Sequence, residues 1–216
     1  MKSIEIRNHS LRAGSRIAVI REQRLEDIIA KAEELAKDAS VDAVEWRIDE
    51  YEDVFEIRFV KMPEAIAAVR KALGDKILMY TFRDKRIGGA HPTTCMYHSR
   101  LNNLAIDSGA GDLITVEWYD ELDAAQSNVE HAHAGNKTVV ASWCTEEGFC
   151  EDSVEMKLTS MLESGAEVLE YGALCKDDEA KAALKVGVEA FKAKNPEILV
   201  IASTKCECGK EEKLVC

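Results

Sequence analysis

The sequence predicts an α/β fold of the (β/α)8 TIM-barrel type, incomplete or irregularly closed at the C-terminus, with about seven parallel strands. The first observation is the regular alternation of seven short apolar runs with six longer stretches of helical period. The second is that Arg21-Glu-Gln-Arg24 follows the first run where an open doubly wound sheet would carry a Gly-rich phosphate-binding motif. The third is the length of 216 residues, which suits one domain spanning residues 1–216.

The apolar runs are short enough for buried parallel strands, and they are residues 16–20, 42–47, 77–82, 113–118, 138–142, 167–171 and 198–203. The stretches between them are long enough for crossover helices, and they are residues 25–37, 63–73, 94–108, 122–134, 153–164 and 177–194. In the first helix, apolar side chains from Leu25 to Leu35 share one face. Pro63 can start the second helix and Gly74 can end it. The sixth helix, rich in Lys and Glu, is expected on the outside of the barrel.

The two ends of the chain depart from the repeating pattern. Residues 3–7 are expected to form a short extra strand before the barrel. Residues 204–216 are too few for a helix crossover and an eighth parallel strand, but they could fold back at Gly209 as a hairpin. A barrel closed in this way leaves an edge that can pair with another chain, so a homodimer is compatible with the sequence.

The charge balance excludes several classes of partner. The chain carries 28 basic and 40 acidic side chains, a net charge of -12 that repels nucleic acid and anionic membranes. No apolar run approaches the ~20 residues that span a bilayer, and residues 1–14 are unlike a signal peptide. We therefore expect a soluble, cytoplasmic protein. Its seven cysteines are expected to be reduced thiols and not a disulfide framework.

Charged residues gather where the predicted strands end, which is where barrel enzymes carry their reacting groups. Glu45 and Arg47 share one side of the second strand, Arg83 follows the third, and Glu117 ends the fourth. Two arginines on adjacent strands suit a carboxylate ligand, because a guanidinium grips a carboxylate at two points. The alternative is an ion pair between Glu45 and Arg47 that only closes the barrel.

Four motifs together make the chain similar to type I 3-dehydroquinate dehydratase. They are Glu-Trp-Arg-x-Asp at residues 45–49, Thr-Phe-Arg at 81–83, Gly-Gly at 88–89 and Ala-Ile-Asp-Ser-Gly at 105–109. The resemblance runs from about residue 1 to residue 203. It implies a (β/α)8 barrel of the shikimate pathway, in aromatic amino acid biosynthesis. The family is a lyase that removes water from 3-dehydroquinate through a lysine Schiff base. A histidine shuttles protons, and no metal or organic cofactor is used.

Carried over residue by residue, the resemblance implies that Glu45, Arg47 and Arg83 contact the substrate. The ligand expected from these residues is a small hydroxylated carboxylate. The family's glutamate before the Gly-Gly pair corresponds to Ile87. Its catalytic histidine corresponds to Cys144.

The family's Schiff-base lysine corresponds to Glu170, and its later arginine, last-loop serine and glutamine, and eighth strand have no counterpart before Cys216. A carboxylate cannot form an imine, and a thiol with a pKa near ~8.5 shuttles protons less well at neutral pH than an imidazole near ~6.5. No catalytic residue of the family mechanism is therefore expected, which predicts a pseudoenzyme or a binder of altered function. Lys176 and Lys205, after the sixth and seventh strands, are candidates for a replacement amine.

The alternative function is a thiol-based metal or redox site. Cys144, Cys175, Cys206 and Cys208 all follow strands at the C-terminal face, where they could bind zinc or another soft metal. Cys206-Glu-Cys208 is a weaker signal than a pair of Cys-x-x-Cys motifs. Reduced loop cysteines without a metal explain the same pattern.

Overall fold

The computed structural model describes residues 3–55, 60–118, 122–206 and 211–216. Seven strands lie parallel in one sheet, in chain order: β3 (Ile17–Ile20), β4 (Ala43–Arg47), β5 (Ile77–Thr81), β6 (Leu113–Glu117), β7 (Thr138–Thr145), β8 (Val168–Leu174) and β9 (Leu199–Lys205). The helices between them are α1 (Leu25–Lys37), α2 (Lys61–Leu73), α3 (Cys95–Asp107), α4 (Leu122–Ala134), α5 (Glu151–Met161) and α6 (Asp178–Lys194). The predicted barrel with seven parallel strands is confirmed.

The eighth place in the sheet is taken by an antiparallel strand, β10 (Glu211–Val215). It folds back on β9, with Lys213 opposite Ser203. The predicted hairpin is confirmed, although Gly209 itself lies outside the described residues. A chain that reverses after β9 needs no crossover helix, so a short tail can fill this place.

The barrel is nearly closed, with an unsealed seam between β10 and β3. Arg16 and Leu214 form an isolated antiparallel bridge, and the Gly14 N–H donates to the Val215 carbonyl at 2.8 Å. Both contacts lie near the start of β3, and the sheet joins β3 to β4 but not to β10. We call the gap between Ile17–Ile20 of β3 and Glu211–Val215 of β10 the seam.

A hairpin closes the N-terminal end of the barrel. β1 (Ser3–Ile6) and β2 (His9–Arg12) pair antiparallel, where the sequence predicted only one strand at residues 3–7. Leu11 is fully buried among the apolar side chains of the barrel interior, and Ile4 and Ile6 pack against the same group. The barrel is therefore closed by apolar residues at the end opposite the predicted site.

Local side-chain contacts fix where several helices begin and end. Thr94 accepts a hydrogen bond from the Tyr97 N–H at 3.3 Å and Asp177 accepts one from the Ala180 N–H at 2.8 Å, so both are helix N-caps. Gly74 ends α2 with a φ of 59°, in the region that favours glycine. Within the described parts of the chain, no helix has the length and apolarity to cross a membrane.

The barrel interior is divided into an apolar half and a charged half. Nearest β1 and β2, the inward side chains are apolar: Ile17, Ala43, Ile77, Met79, Leu113, Val140, Val168, Leu199, Ile201 and Val215. Towards the C-terminal ends of the parallel strands, the inward residues are mostly polar or charged, because the period-two alternation continues beyond the apolar runs. This half contains the candidate site.

Candidate functional site

Six charged side chains fill the charged half of the barrel interior, and we call them the interior charge cluster. None of these side chains is more than 6% exposed: Glu45, Arg47, Arg83, Glu170, Glu211 and Lys213. They come from β4, β8, β10 and the residues after β5. Buried charges are costly unless they are paired, so the pairing within the cluster decides what it can do.

Lys213 lies at the centre of three carboxylates. Its Nζ donates a short hydrogen bond to Glu170 and lies 2.8 Å from Glu45 Oε2, an ion pair without hydrogen-bond geometry, and 3.6 Å from Glu211 Oε1. Burial lowers the pKa of Lys213, but the three carboxylates outweigh burial and raise it above its usual value. The amine is therefore held as an ammonium ion.

Glu170 is paired with two cations. Arg83 Nη2 donates to both of its carboxylate oxygens at 3.2 Å, and the Ser142 hydroxyl donates at 2.7 Å. Burial raises the pKa of Glu170, but the charges of Lys213 and Arg83 outweigh burial and hold it below its usual value. Glu170 is therefore an ionised, fully paired carboxylate.

Glu211 brings a carboxylate from β10 onto three arginines. Arg21 Nη2 donates to it at 2.6 Å and Arg83 Nη1 at 3.3 Å, while Arg47 Nη1 lies 3.5 Å away. The Ser203 hydroxyl adds a hydrogen bond at 2.7 Å. Burial raises the pKa of Glu211, but the nearby cations, Lys213 first, lower it well below its usual value.

Glu45 and Arg47 share the interior side of β4, as predicted, but each has a different partner. Arg47 donates to Asp49 at 2.8 and 2.7 Å through both arms of its guanidinium, whereas Glu45 pairs with Lys213. The alternative prediction, that Glu45 and Arg47 pair with each other, is therefore wrong. Arg47 Nη1 is buried and has no hydrogen-bond partner in the part of the chain that the structure describes.

The Gly88–Gly89 pair holds the loop after β5 against Arg83. Gly88 has a φ of 88° and ends a short 3-10 helix. A Cβ on Gly89 would lie 1.7 Å from the Arg83 carbonyl oxygen, so a side chain cannot be accommodated there. Asp49 accepts the Ala90 N–H at 3.0 Å and ties the same loop to β4. Both features help to keep Arg83 directed into the barrel.

Glu117, the further inward carboxylate that the sequence predicted, fixes a loop. Its Oε1 accepts the Asp84 N–H at 2.6 Å, and its Oε2 lies 3.3 Å from His98 Nδ1. Both oxygens are occupied by these contacts, so Glu117 supports the segment after Arg83.

Comparison with known proteins gives the family. The type I 3-dehydroquinase family matches residues 17–215. The chain belongs to this family. The 3-dehydroquinate dehydratase of Syntrophotalea carbinolica is 32% identical over 170 residues, which cover 78% of this chain and 66% of that protein. The enzyme of Salmonella agona is 33% identical over 143 residues, covering 64% of this chain and 55% of that protein. The matched part thus spans between about half and two thirds of these relatives.

Solved structures show the same fold. The 3-dehydroquinate dehydratase of Enterococcus faecalis matches with a TM-score of 0.84 and 21% identity, over 95% of this chain and 86% of that one. The type I 3-dehydroquinate dehydratase of Clostridium difficile matches with a TM-score of 0.84 and 24% identity, over 96% and 82%. The latter carries covalently modified comenic acid.

In this member of the type I 3-dehydroquinase family, Cys144 is buried beside Arg83. Burial raises the pKa of the thiol to about 12, although Arg83 acts to lower it. The group is therefore protonated at neutral pH and is a poor proton carrier.

The predicted thiol metal site gains no support. Cys206 is in a disulfide, which differs from the expectation of reduced thiols, and Cys208 lies outside the described residues. Burial raises the pKa of Cys175. In the part of the chain that the structure describes, no group of three or more His, Cys, Asp or Glu could hold a metal ion. A metal site at these cysteines stays a prediction.

The lysine that lies inside the barrel is neither of the two that the sequence suggested. Lys176 is exposed, and Lys205 lies at the rim with its Nζ 3.1 Å from Glu146. Lys213 and Glu211 were missed. A hairpin turning at Gly209 puts residues 211, 213 and 215 on one face, but apolar Leu214 lies on the opposite face from apolar Val215, so the sequence pattern alone does not identify the inward face.

Two cavities reach the interior charge cluster from different directions. The cavity at the mouth of the barrel, lined by Arg83, Ile87, Cys144 and Glu211 among others, has a volume of about 20 Å³, close to that of one water molecule. The cleft at the seam is about 540 Å³ and is lined by β3 together with Glu211, Glu212 and Lys213. The larger opening is therefore lateral.

Proposed function

We propose that this chain is a type I 3-dehydroquinase homologue that keeps part of the carboxylate- and hydroxyl-binding site but does not perform Schiff-base dehydration. It would act as a pseudoenzyme or as a small-molecule binder of altered function. The observation that carries this proposal is the carboxylate of Glu170, which corresponds, by the resemblance, to the Schiff-base lysine. It contacts Lys213, Arg83 and Ser142, and it has no nitrogen with which to form an imine.

The nearest amine does not replace the missing one. Lys213 would have to lose a proton before its nitrogen could attack a carbonyl carbon. Glu170, Glu45 and Glu211 favour its charged form and raise its pKa above the usual value. The residue that corresponds to the catalytic histidine, Cys144, has a pKa raised to about 12 by burial. Neither group is in the protonation state that the dehydration requires.

The shape of the site supports the same proposal. The mouth cavity of about 20 Å³ is far smaller than the ~300–1,000 Å³ typical of ligand pockets. Glu211 and Lys213 take up interior space next to Arg83 and Glu170, which leaves little room for a ligand at the mouth. The ligand class that fits the retained Arg47, Arg83 and Glu45 is a small hydroxylated carboxylate.

Trapping of the imine tests the proposal. The protein is incubated with 3-dehydroquinate and borohydride, its intact mass is measured, and the product is followed by absorbance. A catalytically active 3-dehydroquinate dehydratase serves as the positive control. We expect no mass shift and no dehydration. An adduct mapped to Lys213, Lys176 or Lys205 by peptide mass spectrometry, or turnover abolished by Lys213→Met, would overturn the proposal.

A further inference from the structure

The seam opens the interior charge cluster to solvent from the side. At one end of β3 the backbones of β3 and β10 are joined by the Arg16–Leu214 bridge and the hydrogen bond from Gly14 to Val215. Towards the other end the strands separate, and the cleft of about 540 Å³ lies between them. There the connection is made by side chains, because Arg21 reaches across to Glu211.

Arg21 is the point at which the cluster meets solvent. Its side chain is 30% exposed, whereas the six side chains of the cluster are at most 6% exposed. One terminal nitrogen lies 2.6 Å from Glu211 and the other lies 3.6 Å from Glu50. A ligand that enters through the seam would therefore contact Arg21 before it contacts any side chain of the interior charge cluster.

Glu211 behaves as a ligand supplied by the chain itself. Its carboxylate is held by Arg21 after β3, Arg47 of β4, Arg83 after β5 and Ser203 of β9. These contacts converge on one carboxylate, as they would on the carboxylate of a bound molecule.

The arginines offer more donors than Glu211 uses. Arg47 Nη1 lies 3.5 Å from Glu211 without hydrogen-bond geometry and has no other hydrogen-bond partner among the described residues, although the side chain is fully buried. Within the same described ranges, Arg21 Nε is likewise buried without a hydrogen-bond partner. Such unsatisfied donors are uncommon in protein interiors and favour an additional acceptor.

We propose that the seam binds a small carboxylate that displaces Glu211 from Arg21 and hydrogen-bonds to Arg21 and Arg47. Glu211 is then a built-in competitor for this site. The inference rests on the proposed function as a carboxylate binder, but it assigns a lateral route and a binding residue, Arg21, to that function. At Arg21 one carboxylate replaces another, so the ion pair is conserved. The displaced Glu211 carboxylate becomes exposed to solvent in the cleft.

Removal of the competitor is the direct test, with malonate as the probe. Malonate binding to the full chain is measured by isothermal titration calorimetry in Glu211→Gln and in the control variant Glu197→Gln. Glu197 carries the same charge and is exposed, and it lies outside the set of residues that line the cleft. We expect Glu211→Gln to tighten the Kd by at least ~10-fold, because Glu211 no longer has to leave the arginines before malonate binds, and Glu197→Gln to stay within about twofold of wild type.

A second pair of variants tests the assigned route. Adding Arg21→Leu to Glu211→Gln is expected to abolish the gain, whereas adding Arg24→Leu, an arginine whose side chain is 62% exposed, is expected to retain it. If Glu211→Gln does not fold, Glu211→Asp, which shortens the reach by one methylene, should tighten malonate binding in the same direction. An unchanged Kd in a folded Glu211 variant, or a gain that survives loss of Arg21, contradicts the inference. Failure of the proposed function would instead appear as turnover or an adduct with 3-dehydroquinate in the wild-type chain.

Discussion

Glu170 and Lys213 form a buried ion pair, and loss of either side chain removes part of the charge compensation of the other. Both side chains are fully buried. Removing either partner of a buried pair is far more destabilising than replacing both with apolar groups, because the remaining charge has lost its solvation and gained nothing. In this pair the ammonium comes from β10 and the carboxylate from β8.

Lys213→Met is expected to lower the free energy of unfolding by about 3–5 kcal/mol, because Glu170 and Glu45 would be left without their shared cation. Urea unfolding measures this loss. The double variant Lys213→Met/Glu170→Leu is expected to recover more than half of it. Lys205→Met, which removes a lysine paired with Glu146 at the rim, serves as the control and should cost less than about 1 kcal/mol. Additive losses in the double variant would contradict the pairing.

The residues of the site were only partly predictable from the sequence. Glu45, Arg47 and Arg83 follow from strand ends and the period-two rule, and the structure directs all three into the interior. The partners of these three residues do not follow from the strand pattern. Glu211 and Lys213 reach the arginines and Glu170 only because β10 lies beside β9, and that contact depends on the turn of the tail and not on any local propensity.

At the scale of elements, the side chains that β7 and β8 direct into the interior fit each other in size. Gly172 of β8 pairs with Cys144 of β7, and a Cβ added to Gly172 would lie 2.5 Å from the Cys144 Sγ. No real Cβ tolerates such a contact, so one side chain would have to move. The position of the Cys144 thiol therefore requires a glycine at residue 172.

Gly172→Ala is expected to destabilise the protein by about 1–3 kcal/mol through overpacking. Combining it with Cys144→Ala removes the sulfur and should recover most of the loss. Gly148→Ala is the control, since a Cβ there meets no atom of the described residues within 4 Å. Thermal unfolding followed by circular dichroism compares the four proteins. Equal stability of Gly172→Ala and wild type would show that the thiol moves aside at no cost.

The bounds of most elements lie close to those predicted from the apolar pattern. The helices at residues 25–37 and 122–134 have the predicted bounds in α1 and α4. β7 and β8 instead run on to Thr145 and Leu174, past the predicted ends at residues 142 and 171. Strand pairing uses the backbone and continues through polar residues, so the end of an apolar run is not the end of a strand.

For the whole molecule, the paired carboxylates link stability to pH. Burial alone would raise the pKa values of Glu170 and Glu211, but their cationic neighbours lower both below the usual 4.5. Below pH 4.5 the unfolded chain then binds protons that the folded chain does not. The stabilisation is complete above that pH and is lost as the pH falls towards the folded-state pKa values.

The free energy of unfolding is therefore expected to fall steadily between about pH 5 and pH 3, measured by urea unfolding at constant ionic strength. Glu211→Gln, which lacks one of the two carboxylates, should show a shallower slope. Glu212→Gln should run parallel to wild type, since Glu212 is exposed. If Glu211→Gln and wild type have the same slope, Glu211 is not held ionised by the arginines.

The way the barrel closes has a mechanical consequence. Around most of its circumference neighbouring strands are joined by backbone hydrogen bonds, which do not respond to pH or salt in the physiological range. Towards the C-terminal ends, the last join is made by Arg21 with Glu211 and by Lys213 with Glu45. A cylinder whose final join is electrostatic can widen on one side while every other strand pair stays intact. The width of the barrel at that end therefore depends on the charges of these paired side chains.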